Sequence, residues 1–173
     1  DCGVSGIIIP MISTRADAEA AVRDARYLPL GDRSKGGMLA ALSFGTDSTT
    51  YRERANDEIL VMAQIERVEA IDNLEEIAAV DGVDCLFVGP NDLASTMGVD
   101  ARRTWDDKRS AYFAAIAGVP AVARKHGKIA GVQAGDAAMA NECIGLGFTL
   151  IGVGGDVTLL SAAARRLRVD VKA

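Results

Sequence analysis

Two acids at the ends of apolar runs carry the chemical signal. One run ends in Gln64-Ile65-Glu66, and the next ends in Gly89-Pro90-Asn91-Asp92. Side chains alternate along a strand, so Gln64 and Glu66 share a face. Neighbouring strands lie about 4.8 Å apart, which lets Glu66 and Asp92 meet at one height above a parallel sheet. Two carboxylates converging in a mostly apolar rim repel unless one is protonated or a cation lies between them. No His or Cys stands beside either acid. An all-oxygen site with few protein ligands suits Mg²⁺ or Mn²⁺, with Co²⁺ a further option, and with water and substrate completing an octahedron.

The rest of the second motif suits an anionic substrate. Gly89 allows close backbone approach, and Pro90 stiffens the turn. The N–H groups of Asn91 and Asp92 would open a helix, where a carboxylate or phosphate binds well. The competing assignment is that Asn91 or Asp92 merely caps that helix. Glu66 on the adjacent strand favours the site.

Other chemistry-bearing residues fit worse. His126, in Arg-Lys-His-Gly-Lys, falls at a helix end on the side where the next strand begins, and reads as a cap or a solvated residue. None of the five lysines, Lys35, Lys108, Lys125, Lys128 and Lys172, ends a strand, which disfavours a Schiff base. Gly152-Val-Gly-Gly-Asp156 lacks the spacing of a dinucleotide fingerprint, but its glycines follow the last strand and can line the same mouth. Cys2, Cys85 and Cys143 have no metal-type spacing and read as buried thiols of a reducing cytosol. Arg165–Arg168 suits the C-terminal part of a helix.

The elements that must position the two acids alternate regularly. Apolar runs at 6–12, 59–65, 85–89, 129–134 and 149–154 read as buried strands. Helical spacing follows at 14–27, with Ser13 or Thr14 as N-cap, and at 69–80, 91–97, 106–127, 136–147 and 157–168. Pro120 kinks or divides the fourth of these. The long segment 28–58 is expected to contain a short helix at Tyr51–Asp57. Five strands, each followed by a helix, mean an α/β fold with a parallel sheet. A five-stranded doubly wound sheet and most of a (β/α)₈ barrel both fit. The long post-strand segments favour the barrel, as does the opening Asp-Cys-Gly-Val-Ser-Gly, which reads as the end of a helix and the loop into a strand. The expectation is one domain, 1–173, supplying the last five βα units of a TIM barrel whose first three precede it.

Composition is that of an ordinary globular chain, 49% apolar and 25% charged over 173 residues. A net charge of −5 disfavours a general nucleic-acid binder. No apolar run is long enough to span a membrane, and no secretory signal is visible.

From Ala63 to Gly98 the sequence resembles the class II, metal-dependent pyruvate aldolases of the HpcH/HpaI type. These cleave 2-keto-3-deoxy sugar acids and 4-hydroxy-2-oxo-heptanedioate. The resemblance extends to residues 6–37 and to the closing stretch from Gly152, and the pairing of Gln-Ile-Glu with Gly-Pro-Asn-Asp-Leu-Ala is its most specific part. It implies a (β/α)₈ barrel, with Glu66 and Asp92 as metal ligands and Gln64 near the keto-acid end. It places the Asn91 and Asp92 amides on the pyruvate carboxylate, and it implies a homo-oligomer, a hexamer built from dimers. The general-base His and keto-oxygen Arg of the family have no counterpart here, since they belong to the first barrel strands. Arg33 lies in a stretch like the family's Gly-x-Arg-Gly loop, with Ser34 in place of the last Gly, and is not that arginine. Gln133 stands where relatives carry an apolar residue near the pyruvate methyl.

The expected activity is therefore cleavage of a 2-oxo-4-hydroxy acid to pyruvate and an aldehyde. The alternatives are a citramalyl- or malyl-CoA-type lyase, for which Gly31–Gly37 would offer a basic groove, and a non-catalytic barrel fragment or metal-binding scaffold.

Overall fold

Short β-branched and apolar runs become strands whose pairings are all parallel. In the computed structural model, which describes residues 1–36, 38–98 and 105–171, these are β1 (Gly6–Ile9), β2 (Leu60–Ile65), β3 (Cys85–Val88), β4 (Ile129–Ala134) and β5 (Leu150–Val153). They lie in one sheet in sequence order, β1-β2-β3-β4-β5. The helices are α1 (Arg15–Ala25), α2 (Leu39–Ser43), α3 (Ser48–Glu58), α4 (Val68–Asp72), α5 (Leu74–Ala78), α6 (Pro90–Thr96), α7 (Trp105–Ile116), α8 (Val119–Lys125), α9 (Ala137–Leu146) and α10 (Asp156–Asp170).

Side-chain parity decides between the two candidate architectures. The main core takes Val61, Ala63 and Ile65 from β2, Leu86 and Val88 from β3, and Ala130, Val132 and Ala134 from β4. The register pairs Ala63 with Leu86 and Leu86 with Ala130, so all of these point to one face. Val22 of α1, Ile77 of α5, Leu93 of α6, Ile116 of α7 and Met139 of α9 join the same cluster. These helices thus clothe a single side. A doubly wound sheet would clothe both sides and would break the sequential strand order. Sequential order with one-sided helices is the winding of a (β/α) barrel, here a parallel half-barrel of five strands.

The opposite face would line the lumen. Ile8, Leu60 and Leu150 are exposed there, while Cys85 and Phe87 are buried. Gly131 makes room for them: a Cβ would lie 2.6 Å from Phe87 Cδ2 and 2.9 Å from Cys85 Sγ.

Local chemistry sets the helix ends. Thr14 and Asp17 form a reciprocal capping box on α1. Asp136 caps α9, and Gly147 closes it in the left-handed conformation. The expected helix 69–80 is broken at Asn73, whose side chain donates to the Ser13 carbonyl at 2.9 Å. The expected helix 106–127 is divided, and Pro120 sits in the first turn of α8, where its missing N–H costs nothing. Segment 28–58 holds α2 and α3, and Asp47 caps the latter. Cys85 and Cys143 are buried thiols, but Cys2 is exposed, contrary to the expectation that all three are buried, because it lies in the segment ahead of β1. Lys172 lies outside the described residues, as does the side chain of Lys108.

The edge of the sheet where strands begin is tied by a buried arginine. Arg26 donates to the carbonyls of Asn56 and Ile59, both at 2.6 Å, and of Gly82 at 3.2 Å, and it pairs with Asp84 at 2.7 Å. Asp84 also accepts from the Val61 amide at 2.7 Å. Among the described residues no helix is long and apolar enough to cross a membrane.

Candidate active site

The ends of β1, β2, β3 and β4 build the site. Beyond β1, Met11 has φ +62°, the one described non-glycine residue in the left-handed region. A side chain there costs about 1–2 kcal/mol, and such strain persists where the surroundings impose it. Here the strained turn aims the Met11 N–H at Glu66 Oε1, at 2.7 Å. Gln64 Nε2 donates to Glu66 Oε2 at 2.6 Å. Glu66 is only 2% exposed.

Among the described residues no Lys, Arg or His forms an ion pair with Glu66. A carboxylate this deeply buried, held by two neutral donors, calls for a positive partner. Each oxygen accepts one hydrogen bond and keeps a further lone pair. Gly89 closes the back of this arrangement. A Cβ there would lie 2.6 Å from Gln64 Nε2 and 2.8 Å from Glu66 Oε2. The chemistry of the donors and this cradle fit a divalent ion at Glu66. No three His, Cys, Asp or Glu side chains cluster to hold a metal among the described residues. An ion here would therefore take few protein ligands and leave positions for water and substrate, as Mg²⁺ does.

Asp92 sits in the first turn of α6, and its side chain and that of Asn91 are exposed. The N-cap is Gly89 and no side chain caps the helix, so neither Asn91 nor Asp92 is there as a cap. Buried Leu93 and Ala94 anchor α6 to the core. Thr96 Oγ1 accepts from the Val68 amide at 3.2 Å, tying α6 to α4 and so joining the segments that follow β2 and β3. Pairing of Ile65 with Val88 puts Glu66 level with Gly89. Extending Val88–Val132 by one residue puts Gly89 level with Gln133, which pairs with Gly152. Glu66, Gly89, Gln133 and Gly152 thus form one row across four strands. Gln133 Nε2 donates to the Gly154 carbonyl at 2.8 Å.

Several candidates are placed elsewhere. His126 closes α8 and bonds Glu75 at 2.7 Å, as its position beside Gly127 predicts. Arg33 stacks on Tyr27, 4.5 Å from the ring centroid, and reaches Asp1 at 3.1 Å, at the edge where strands begin. Cys85 is on the lumen face, but burial pushes its thiol up to about 12, so it offers no thiolate near neutrality. The contribution that the sequence hides is Met11. A left-handed methionine has no compositional signature, and the only hint is its place directly after Pro10 at a strand end.

A singly wound parallel α/β sheet with an acidic cradle at the carboxyl ends of its strands defines the barrel-type enzyme class, in which such ends carry the chemistry. The chain belongs to the HpcH/HpaI aldolase/citrate lyase family, whose profile matches residues 1–163. It is 39% identical over 172 residues to a hydroxypyruvate/pyruvate aldolase of Cupriavidus necator, covering 99% of this chain and 62% of the relative. It is 36% identical over 167 residues to a 4-hydroxy-2-oxo-heptane-1,7-dioate aldolase of Escherichia coli, covering 96% and 62%. The crystal structure of an HpcH/HpaI aldolase/citrate lyase family protein from Burkholderia cenocepacia superposes with a TM-score of 0.81 at 36% identity, covering 99% of this chain and 66% of that one. The chain spans less than two thirds of the length of these curated relatives.

Proposed function

We propose that this chain is the C-terminal portion, a single domain over 1–173, of a class II pyruvate aldolase, and that it supplies the last five βα units of its barrel. The enzyme cleaves a 2-oxo-4-hydroxy acid to pyruvate and an aldehyde. The observation that carries the reading is Glu66: an acid 2% exposed, cradled against Gly89 and without a cationic partner among the described residues.

In this reading Glu66 and Asp92 hold a divalent ion, Mg²⁺, Mn²⁺ or Co²⁺. When bound, the ion supplies Lewis-acid stabilisation of the negative charge that develops on the keto oxygen as the C3–C4 bond breaks. Gln64 and Met11 fix the two oxygens of Glu66. Gly89 and Pro90 let the chain pass close to the substrate, the Asn91 and Asp92 amides receive its carboxylate, and Gln133 faces its far end. The proton is moved by a group other than these residues. A homo-oligomer, by resemblance a hexamer, accords with α10, which is exposed along its described length.

A CoA-thioester lyase is the weaker reading. The basic loop it would use has Arg33 committed to Tyr27 and Asp1, away from Glu66.

The test measures pyruvate release from several 4-hydroxy-2-oxo acids and from citramalyl-CoA, coupled to lactate dehydrogenase, with the full gene product and with added Mg²⁺ or Mn²⁺. Asp92→Ala and Glu66→Gln are expected to lose turnover by about 100-fold or more, together with metal binding. Wild-type activity of Asp92→Ala in EDTA would overturn the assignment.

A further inference from the structure

The chains that leave β2 and β3 part at the sheet and are joined again above it. The pairing of Ile65 with Val88 continues one step, where the Gly89 amide donates to the Ile65 carbonyl at 3.0 Å. Beyond that bond one chain runs on through Glu66, Arg67 and Val68, and the other winds into α6. They meet again where Thr96 Oγ1 accepts from the Val68 amide at 3.2 Å. The two legs match in length. Arg67 is extended, and the three steps from Ile65 to Val68 reach up to about 10 Å. The seven helical steps from Gly89 to Thr96 also cover about 10 Å. The result is a ring of backbone closed by one hydrogen bond at its base and one at its top, and both Glu66 and Asp92 lie within it.

The upper bond is set by both of its partners. α4 starts after Arg67, whose side chain only donates, and no side chain of its own caps it. The Val68 amide therefore takes its acceptor from a different helix. The Thr96 hydroxyl donates in turn to the Leu93 carbonyl at 3.0 Å, which directs its proton there and leaves a lone pair for Val68. Among the described residues no other hydrogen bond links α6 to the segment after β2. A helix of 7 residues does not hold its own orientation. Buried Leu93 and Ala94 set the depth of α6, and Thr96 sets its rotation. Asp92 stands one turn before Thr96 on the same face of the helix. The face that meets Val68 thus also carries Asp92, one turn nearer the sheet, on the side where Glu66 precedes Val68.

We propose that Thr96 is a positioning residue: by capping α4 from α6 it fixes the span between Glu66 and Asp92, and with it the affinity of the divalent-ion site. The inference rests on the assignment of both acids to that ion in the aldolase reading. Thr96 takes no part in the chemistry itself and acts through the helix that bears Asp92. Serine offers the same oxygen and keeps the role, whereas valine, of nearly the same shape, cannot accept.

The experiment uses the full gene product as wild type, Thr96→Val, Thr96→Ser and, as a control for stability alone, Arg26→Met. Mn²⁺ affinity is read by electron paramagnetic resonance, and backbone order by hydrogen-exchange mass spectrometry without metal. Thr96→Val is expected to weaken Mn²⁺ binding about fivefold, the worth of one hydrogen bond, and to speed exchange in the peptides that carry Val68 and Asp92. Thr96→Ser is expected to keep both near wild type, and Arg26→Met to keep the affinity despite a larger loss of thermal stability. Unchanged Mn²⁺ affinity in Thr96→Val overturns the proposal, as does equal weakening in Thr96→Ser or in Arg26→Met. Failure of the metal reading shows separately, as no Mn²⁺ binding by the wild type or as full binding by Glu66→Gln. The exchange data then decide alone whether Thr96 holds α6 in place, and unchanged exchange in Thr96→Val overturns it.

Discussion

Replacing Met11 by glycine and by valine separates backbone strain from the hydrogen bond that the strain serves. The left-handed turn costs a methionine about 1–2 kcal/mol, which glycine does not incur. Glycine's freedom in the unfolded chain returns about 0.5–1 kcal/mol of that. The lost side chain is 51% exposed, so little burial disappears with it. Met11→Gly is therefore expected to be more stable by about 0.5 kcal/mol, roughly 1–2 °C in a chain of this size. Valine is β-branched and tolerates positive φ poorly, so the turn must open and withdraw the N–H from Glu66. Losing a hydrogen bond to a buried carboxylate costs about 1.5–3 kcal/mol. Urea unfolding followed by circular dichroism measures both effects, and Mn²⁺ titration followed by electron paramagnetic resonance reports whether Glu66 stays in place. Glycine should leave the Mn²⁺ affinity near wild type, and valine should weaken it. A glycine variant less stable by more than 1 kcal/mol, or a valine variant indistinguishable from wild type, would refute the reasoning.

Three further outcomes follow from the buried groups. Arg26→Met strips Asp84 of its cation and three carbonyls of their donor, so a loss of about 3–5 kcal/mol is expected, read as a drop of roughly 10 °C in the thermal midpoint. Cys85, whose thiol burial pushes up to about 12, should resist iodoacetamide at pH 8 while exposed Cys2 is alkylated, as mass spectrometry will show. A raised thiol means that the unfolded chain releases the proton first. Stability from this group is thus whole below pH 9 and declines as the pH climbs towards 12, which unfolding midpoints across that window will test.

Much of this arrangement is legible in the sequence because strand period and turn chemistry are local. Ile129–Ala134 is a strand over the residues its pattern predicts, and Thr14 caps α1 as its position suggests. The row that joins Glu66 to Gly89 follows from two strand ends and the spacing of a parallel sheet. Other features depend on contacts between distant segments and are written in no single stretch. Asn73 breaks a helix because Ser13, sixty residues earlier, offers a carbonyl. Arg26 reads as one more charged residue near a helix end until Asn56, Ile59, Gly82 and Asp84 converge on it. The bonding of Gln133 to Gly154 likewise needs β4 and β5 side by side, and residue type alone predicts only a polar lining.

Strand β2 is pinned by an acid at each extremity, Asp84 gripping its first turn of ladder and Glu66 receiving the chain that leaves β1. Six residues of extended backbone put these pins about 17–20 Å apart, well beyond the range over which substitutions influence one another. Changes near one pin should add to changes near the other without interplay. In the proposed reading the rim that carries Glu66 handles the ligand, so substitutions there should leave intact the rigidity that Arg26 and Asp84 supply at the opposite rim.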